Sequence, residues 1–122
     1  MNTAAIGIVV KEYQVLLVNR RFPPQLWSPP GGFLDPGESP EETVRRESWE
    51  ETGILCEVFS KIHEFDFNQS HILVYTCRYI SGDLKCSYES LDVGWFEINN
   101  LPAPLSPEIE IFNKALQFIV NC

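Results

Sequence analysis

GFLDPGESPEETVRRESWEETGI, residues 32–54, decides how the rest of the chain is read. It opens as a glycine-containing loop and passes a helix start at Ser39-Pro40. Ser39 can cap, Pro40 suits the first helical position, and Glu42, three residues after the cap, can close a capping box. Gly53 is a natural residue just past a helix end, so the spacing predicts a helix from Pro40 to Thr52. That helix is poor in apolar residues. Val44 and Trp49 fall on different faces, so core packing alone does not account for it. Glu47, Glu50 and Glu51 stand at i, i+3 and i+4, which puts three carboxylates on one face about a turn apart.

Seven of the 17 acidic residues (Asp35, Glu38, Glu41, Glu42, Glu47, Glu50 and Glu51) fall in this stretch, against Arg45 and Arg46. Glu41 and Glu42 favour the positive end of the helix dipole, whereas Glu50 and Glu51 near its negative end are disfavoured by a few tenths to about 1 kcal/mol each. A divalent cation would relieve both this and the mutual repulsion, and oxygen-only ligands point to Mg²⁺ or Mn²⁺. The plainer reading is an inert, solvated, charged helix.

The 122 residues carry a net charge of −8 and are 44% hydrophobic, enough for one domain with a working core. The negative charge argues against a nucleic-acid polymer or an anionic membrane as partner, since both are held mainly through Lys and Arg. A small anionic substrate stays compatible when divalent cations mediate. Cys56, Cys77, Cys86 and Cys122 show no CxxC spacing, which favours ordinary reduced thiols over a zinc or redox site. The N-terminal MNTAAIGIVVKE is too short in apolar residues, and lacks the basic flank, for a secretory signal. No run approaches the roughly 18 to 20 apolar residues of a membrane span, so a cytoplasmic location is expected.

Around the central stretch, Ala4 to Val10 and Tyr13 to Asn19 read as two strands, expected to form a hairpin. Arg20 and Arg21 follow at a strand end, either as solvated cations or as phosphate contacts. Ile54 to Phe67 and His71 to Ile80 read as two long strands joined by Asn68-Gln69-Ser70. Leu84 to Tyr88 reads as a short strand and Gly94 to Ile98 as another. Ser106-Pro107-Glu108 repeats the cap-plus-proline signal before an amphipathic last helix carrying Phe112, Ala115, Leu116 and Ile119. The order β-β-loop-α-β-β-β-α is that of a mixed α/β domain.

The stretch 32–54 resembles the signature of the Nudix hydrolases: Gly, five residues, Glu, seven residues, Arg-Glu, an aliphatic, any residue, Glu-Glu, any residue, Gly, an aliphatic. Here it runs as Gly32, Glu38, Arg46-Glu47, Ser48, Trp49, Glu50-Glu51, Thr52, Gly53 and Ile54. Every charged and glycine position matches, and one position departs, with Ser48 where the family usually has an aliphatic residue facing the sheet. Leu16-Leu17-Val18, the Trp27 to Gly32 approach, Gly94-Trp95-Phe96 and the last helix are more loosely similar.

The resemblance implies an α/β/α sandwich around a central mixed β-sheet, as a single domain over residues 1–122. It implies Mg²⁺ (or Mn²⁺) held by Glu47, Glu50, Glu51 and the Gly32 carbonyl. An internal pair of Arg46 with Glu38 would orient the loop and helix, with Gly53 ending the helix. Glu47 or a later glutamate would be the general base, Glu89 first and Glu97 second, so Glu47, Glu50, Arg46 and Glu89 form the expected catalytic set. Arg20 and Arg21 would contact phosphate, with Lys85 a weaker choice, and Phe22, Trp27, Phe33 or Tyr75 would stack a base.

The reaction implied is metal-dependent hydrolysis of the pyrophosphate in a nucleoside diphosphate linked to another moiety, of ADP-ribose or nucleotide-sugar type. Hydrolysis of nucleoside triphosphates and nucleotide sensing without turnover are the alternatives. Asn68 and Gln69 stand where ADP-ribose hydrolases commonly carry a proline, and Ser70 and His71 where diadenosine polyphosphate hydrolases commonly carry a tyrosine. The resemblance leaves a homodimer open.

Overall fold

The computed structural model describes residues 2–120, so Cys122 lies outside the described residues. Seven strands and two helices follow in the order β1 (Asn2–Lys11), β2 (Gln14–Arg20), β3 (Trp27–Ser28), β4 (Gly31–Phe33), α1 (Pro40–Thr52), β5 (Leu55–Phe67), β6 (Ser70–Ser81), β7 (Ser90–Glu97) and α2 (Ile109–Val120). The sheet order is β3-β2-β1-β6-β5, with β4 also pairing with β1 and β7 with β2. The sheet is mixed, because β1 runs parallel to β6 while β1–β2, β1–β4, β2–β7 and β5–β6 are antiparallel.

β1 is buried on both faces, and its alternation divides the core in two. Ile8 and Val10 join Val15, Leu17, Val74, Phe112 and Ala115 on the α2 side. Ala5 and Val9 join Leu16, Val44, Ile54, Cys56, Tyr75 and Cys77 on the α1 side. One helix thus covers each face, which makes the α/β/α sandwich. Gly7 brings the two layers together, since a Cβ there would collide with Val44. Cys56, Cys77 and Cys86 are unbridged. Among the described residues no helix is long and apolar enough to cross a membrane.

The first hairpin turns at Glu12 (φ 57°) and the second at Asn68 and Gln69 (φ 49° and 63°), left-handed positions that suit a tight two-residue turn. Ser70 already belongs to β6. Three expectations need correction. Leu84 to Tyr88 is not a strand but an irregular segment ending in a turn at Tyr88-Glu89. The last helix begins at Ile109, and Ser106 instead lies along β3, its N–H donating to the Trp27 carbonyl at 3.0 Å beside the Trp27–Leu105 bridge. Trp27, T-shaped on Phe96 at 4.9 Å, packs against the core, and Tyr75 is buried within it, so neither is a stacking platform.

α1 runs over the residues its signals indicate, with both halves of the capping box formed and Gly53 left-handed at φ 79°. What it buries is mostly hydroxyl: Thr43, Val44, Ser48 and Thr52. Ser48 Oγ donates to the Ile54 carbonyl at 2.9 Å, Thr52 Oγ1 donates to the Ser48 carbonyl at 2.6 Å, and Thr52 Oγ1 accepts from the Ile54 N–H at 3.2 Å. Every buried side-chain polar atom among the described residues has a partner. Ser48 therefore stitches α1 to the chain leaving it, where an aliphatic residue would only pack.

Removing that hydroxyl strands a buried acceptor. A Ser48→Ala variant should unfold at lower urea, with a loss of about 1 to 2 kcal/mol. Tryptophan fluorescence follows the transition, and an unchanged midpoint would contradict the role.

Candidate active site

The loop before α1 is held by one side chain. Arg46 offers Nε and Nη2 to the two Glu38 oxygens, at 2.7 and 3.0 Å, in a two-pronged pair. The same guanidinium reaches Glu47 Oε1 at 2.5 Å, Glu50 Oε2 at 3.2 Å, Asp35 at 3.5 Å and the Phe33 carbonyl at 3.4 Å. Glu38 also accepts from Thr43 Oγ1 at 2.7 Å and from the Asp35 N–H at 3.0 Å. These donors, Arg46 first, hold Glu38 down to about 2. The Arg46–Glu38 pair that the family resemblance implies is formed, and it ties the loop to the middle of the helix.

Glu47 and Glu51 face a cavity of about 420 Å³. Its wall is built from several elements: Gly31, Gly32 and Phe33 of β4, Arg20 at the end of β2, the Phe22–Pro24 loop, Phe67 and Asn68 at the second hairpin, Glu89 just ahead of β7 and Ser90 at its start. Ala4, Ile6, Val18 and Ile72 give it an apolar floor. Gly32 sits so close to Glu47 that a Cβ would collide with Oε2. A glycine there lets the loop backbone and the helix carboxylate share one small space.

Burial pushes the Glu47 carboxyl up to about 7, with Glu50 adding to the rise, although Arg46 opposes it. The opposition is incomplete because one guanidinium is shared with Glu38 and Glu50. Glu51 is pushed up to about 8, first by burial and then by Glu47, with a smaller push from Glu89. It accepts from the Gly31 N–H at 3.1 Å, and Arg20 offsets the rise only slightly. The site therefore holds more negative charge than its cations balance.

Among the described residues no trio of His, Cys, Asp or Glu side chains converges as a formed metal centre. Glu50 explains this, since it is largely exposed and drawn to Arg46, away from the cavity. The donor set nonetheless fits a hard divalent cation. It is made of oxygens, carries surplus negative charge, and has two half-buried carboxylates whose ionised forms lack compensation.

Of the other residues singled out from sequence, Glu89, Arg20 and Phe33 all line the cavity. Glu97 does not; it lies opposite Gln14 in the β2–β7 ladder and accepts from it at 3.5 Å. Arg21 is absent from the cavity wall, and its Nε donates to the Tyr88 carbonyl at 2.8 Å. Lys85 lies over the Trp49 ring at 5.2 Å, also outside. Phe22 is an exposed wall residue.

Sequence reading missed Phe67, Asn68, Ser70 and Ser90 as wall residues. The one available signal was the position of Phe67, an aromatic at a strand end beside a tight turn, where it stays 44% exposed.

The comparisons with known proteins bear on the family and the fold. The NUDIX domain model matches residues 1–116. The chain is 36% identical to the NAD-capped RNA hydrolase NudC of Chromobacterium violaceum over 80% of its own length and 39% of that protein. It is 34% identical to the ADP-ribose pyrophosphatase of Methanocaldococcus jannaschii, over 81% of this chain and 63% of the relative. The chain thus spans less than two thirds of the length of these curated relatives. Among solved structures, an ADP-ribose pyrophosphatase from Streptococcus suis superposes with a TM-score of 0.82 at 25% identity, covering 95% of this chain and 90% of that one. A NUDIX-family hydrolase from Clostridium perfringens shares the fold at a TM-score of 0.82 and 19% identity, over 96% of this chain and 97% of its own. With the signature complete in its charged positions, the sheet and helices in the family arrangement, and the family model spanning almost the whole sequence, the chain belongs to the Nudix hydrolase family.

Proposed function

We propose that this chain hydrolyses the pyrophosphate linkage of a nucleoside diphosphate joined to a second moiety, of ADP-ribose or nucleotide-sugar type, with Mg²⁺ or Mn²⁺. The observation that carries this is the composition of the cavity: Glu47, Glu51 and Glu89 share one space with Arg20 and with the exposed rings of Phe22, Phe33 and Phe67. A pyrophosphate needs cations among those acids, and a base needs a flat apolar partner.

Glu47 and Glu51, with Glu50 turned inward from Arg46 and the Gly32 carbonyl, would hold the metal. The ion would supply charge neutralisation at the phosphoryl oxygens and a lowered pKa for the attacking water. Arg46 orients Glu47 and keeps the loop carrying Gly32 against the helix. Arg20 contacts a phosphate oxygen. Glu89 accepts the proton of the water that attacks phosphorus, while the bond from phosphorus to the bridging oxygen breaks and two phosphomonoesters leave. Glu47 is the other candidate for that proton.

Arg20 is the cation of the cavity wall among the described residues. A doubly substituted pyrophosphate carries two negative charges, fewer than a triphosphate, and suits so modest a positive complement. The relatives named as ADP-ribose pyrophosphatases favour the same choice. All the signature carboxylates are present, which favours turnover over sensing.

Incubating the protein with ADP-ribose, nucleotide sugars and nucleoside triphosphates, each with Mg²⁺ or with EDTA, tests the reading. Metal-dependent release of a nucleoside monophosphate from ADP-ribose or a nucleotide sugar is expected. Tight binding without product would sink the enzyme reading. Glu51→Gln, which removes a ligand charge at nearly constant shape, should lower turnover at least about a hundredfold with an unchanged urea midpoint at neutral pH. Full activity in that variant would refute the metal assignment.

A further inference from the structure

Glu89 lies on the least regular part of the cavity wall. Residues 84–87 belong to no ladder, and Tyr88-Glu89 forms a turn leading into β7. At its start the segment is fixed to α1, where the Lys85 N–H bonds to the Thr52 carbonyl at 2.9 Å. At its end it meets Arg21. The Arg21 N–H donates to the Glu89 carbonyl at 3.0 Å, and the Arg21 side chain donates through Nε to the Tyr88 carbonyl at 2.8 Å. Gln25 Nε2 braces this point by donating to the Arg21 carbonyl at 2.9 Å, and the Phe22 ring packs against Tyr88 at 6.1 Å. The inward and outward sides alternate here, so Arg20 lines the cavity while Arg21 reaches the outside of the loop.

We propose that Arg21 is a positioning residue: through its side-chain hydrogen bond to the Tyr88 carbonyl it fixes the turn that aims Glu89 at the carboxylates of α1, and its charge is incidental. The proposal rests on the reading of Glu89 as proton acceptor given above. Among the described residues Arg21 is the side chain from elsewhere in the chain that bonds to the backbone of Tyr88-Glu89. Without it the turn keeps the ladder beyond Ser90, the anchor at Lys85, the backbone bond from the Arg21 N–H to the Glu89 carbonyl and the local bonds to Ser87, so the fold survives while the Tyr88 peptide is freed and Glu89 is aimed less tightly.

Two substitutions separate donor from charge. Gln carries its amide nitrogen the same number of bonds from Cα as the arginine Nε, so Arg21→Gln keeps a donor without charge. Arg21→Lys keeps the charge but puts a methylene there. With ADP-ribose and Mg²⁺ as the probe, Arg21→Lys should lower kcat by about tenfold or more with KM little changed, the pattern of a mispositioned group. Arg21→Gln should retain most of kcat. In a Glu89→Gln background Arg21→Lys should add no further loss, since the two act as one unit. Amide exchange of the free protein gives a readout independent of chemistry: the peptide over residues 84–90 should exchange roughly fivefold faster in Arg21→Lys and at the native rate in Arg21→Gln.

Native exchange and native kcat in Arg21→Lys would overturn the tether. A raised KM in Arg21→Gln that Arg21→Lys restores would overturn it in favour of a phosphate contact. An undiminished additional loss in the Glu89→Gln background would make Arg21 merely structural. Full turnover by Glu89→Gln alone would instead remove Glu89 as the proton acceptor and the catalytic part of the proposal, with exchange still deciding the tether.

Discussion

One guanidinium, that of Arg46, holds the site in shape. It pairs with both oxygens of Glu38 and still reaches Glu47 and Glu50, so the glycine loop, the middle of α1 and part of the acidic face are joined at one point. A single positive charge divided among several carboxylates cannot neutralise them all. Glu38 takes the largest share and is held low, Glu47 keeps a remainder, and Glu51 is left to burial and repulsion. The imbalance is what makes a divalent cation the natural complement of this helix face.

The fold supplies the placement. β4 is short, yet it pairs with the central strand β1 and so presses Gly31 and Gly32 against α1. The Gly31 N–H fixes Glu51 and the space over Gly32 admits Glu47. The remaining wall comes from chain ends that lie near one another only because β2 pairs with both β1 and β7, and β6 with β1. Arg20, Glu89 and Phe67 meet at the cavity from three separate parts of the sequence.

Much of this was legible in the sequence where the physics is local. The capping box, the proline at the first turn, Gly53 and the i, i+3, i+4 acids depend on neighbours within a few residues, and α1 has the bounds they indicate. Ser48 was misleading for the opposite reason. A hydroxyl reads as polar in any count of apolar positions, but it is buried because its partner, the Ile54 carbonyl, lies just beyond the helix end. Ser106 carried a good local signal, but its segment is held beside a distant strand through the Trp27 carbonyl and the helix starts three residues later. Arg20 and Arg21 looked equivalent as adjacent cations, and only the alternation at a particular strand end gives them opposite faces.

Glu47 and Glu51 are carboxylates whose charge is under-compensated by their neighbours, which a bound cation would relieve. Calorimetric titration of Mn²⁺ at pH 7, repeated in buffers of different ionisation enthalpy, reads out that compensation. With carboxyls pushed up to about 7 and about 8, part of the population is protonated before metal enters, and the cation must displace those protons. Proton release on binding is therefore expected at pH 7, fading toward pH 9 to 10 as both groups ionise on their own, and reduced in Glu51→Gln. Tight binding with no proton exchange at pH 7, or an unchanged release in Glu51→Gln, would contradict the account.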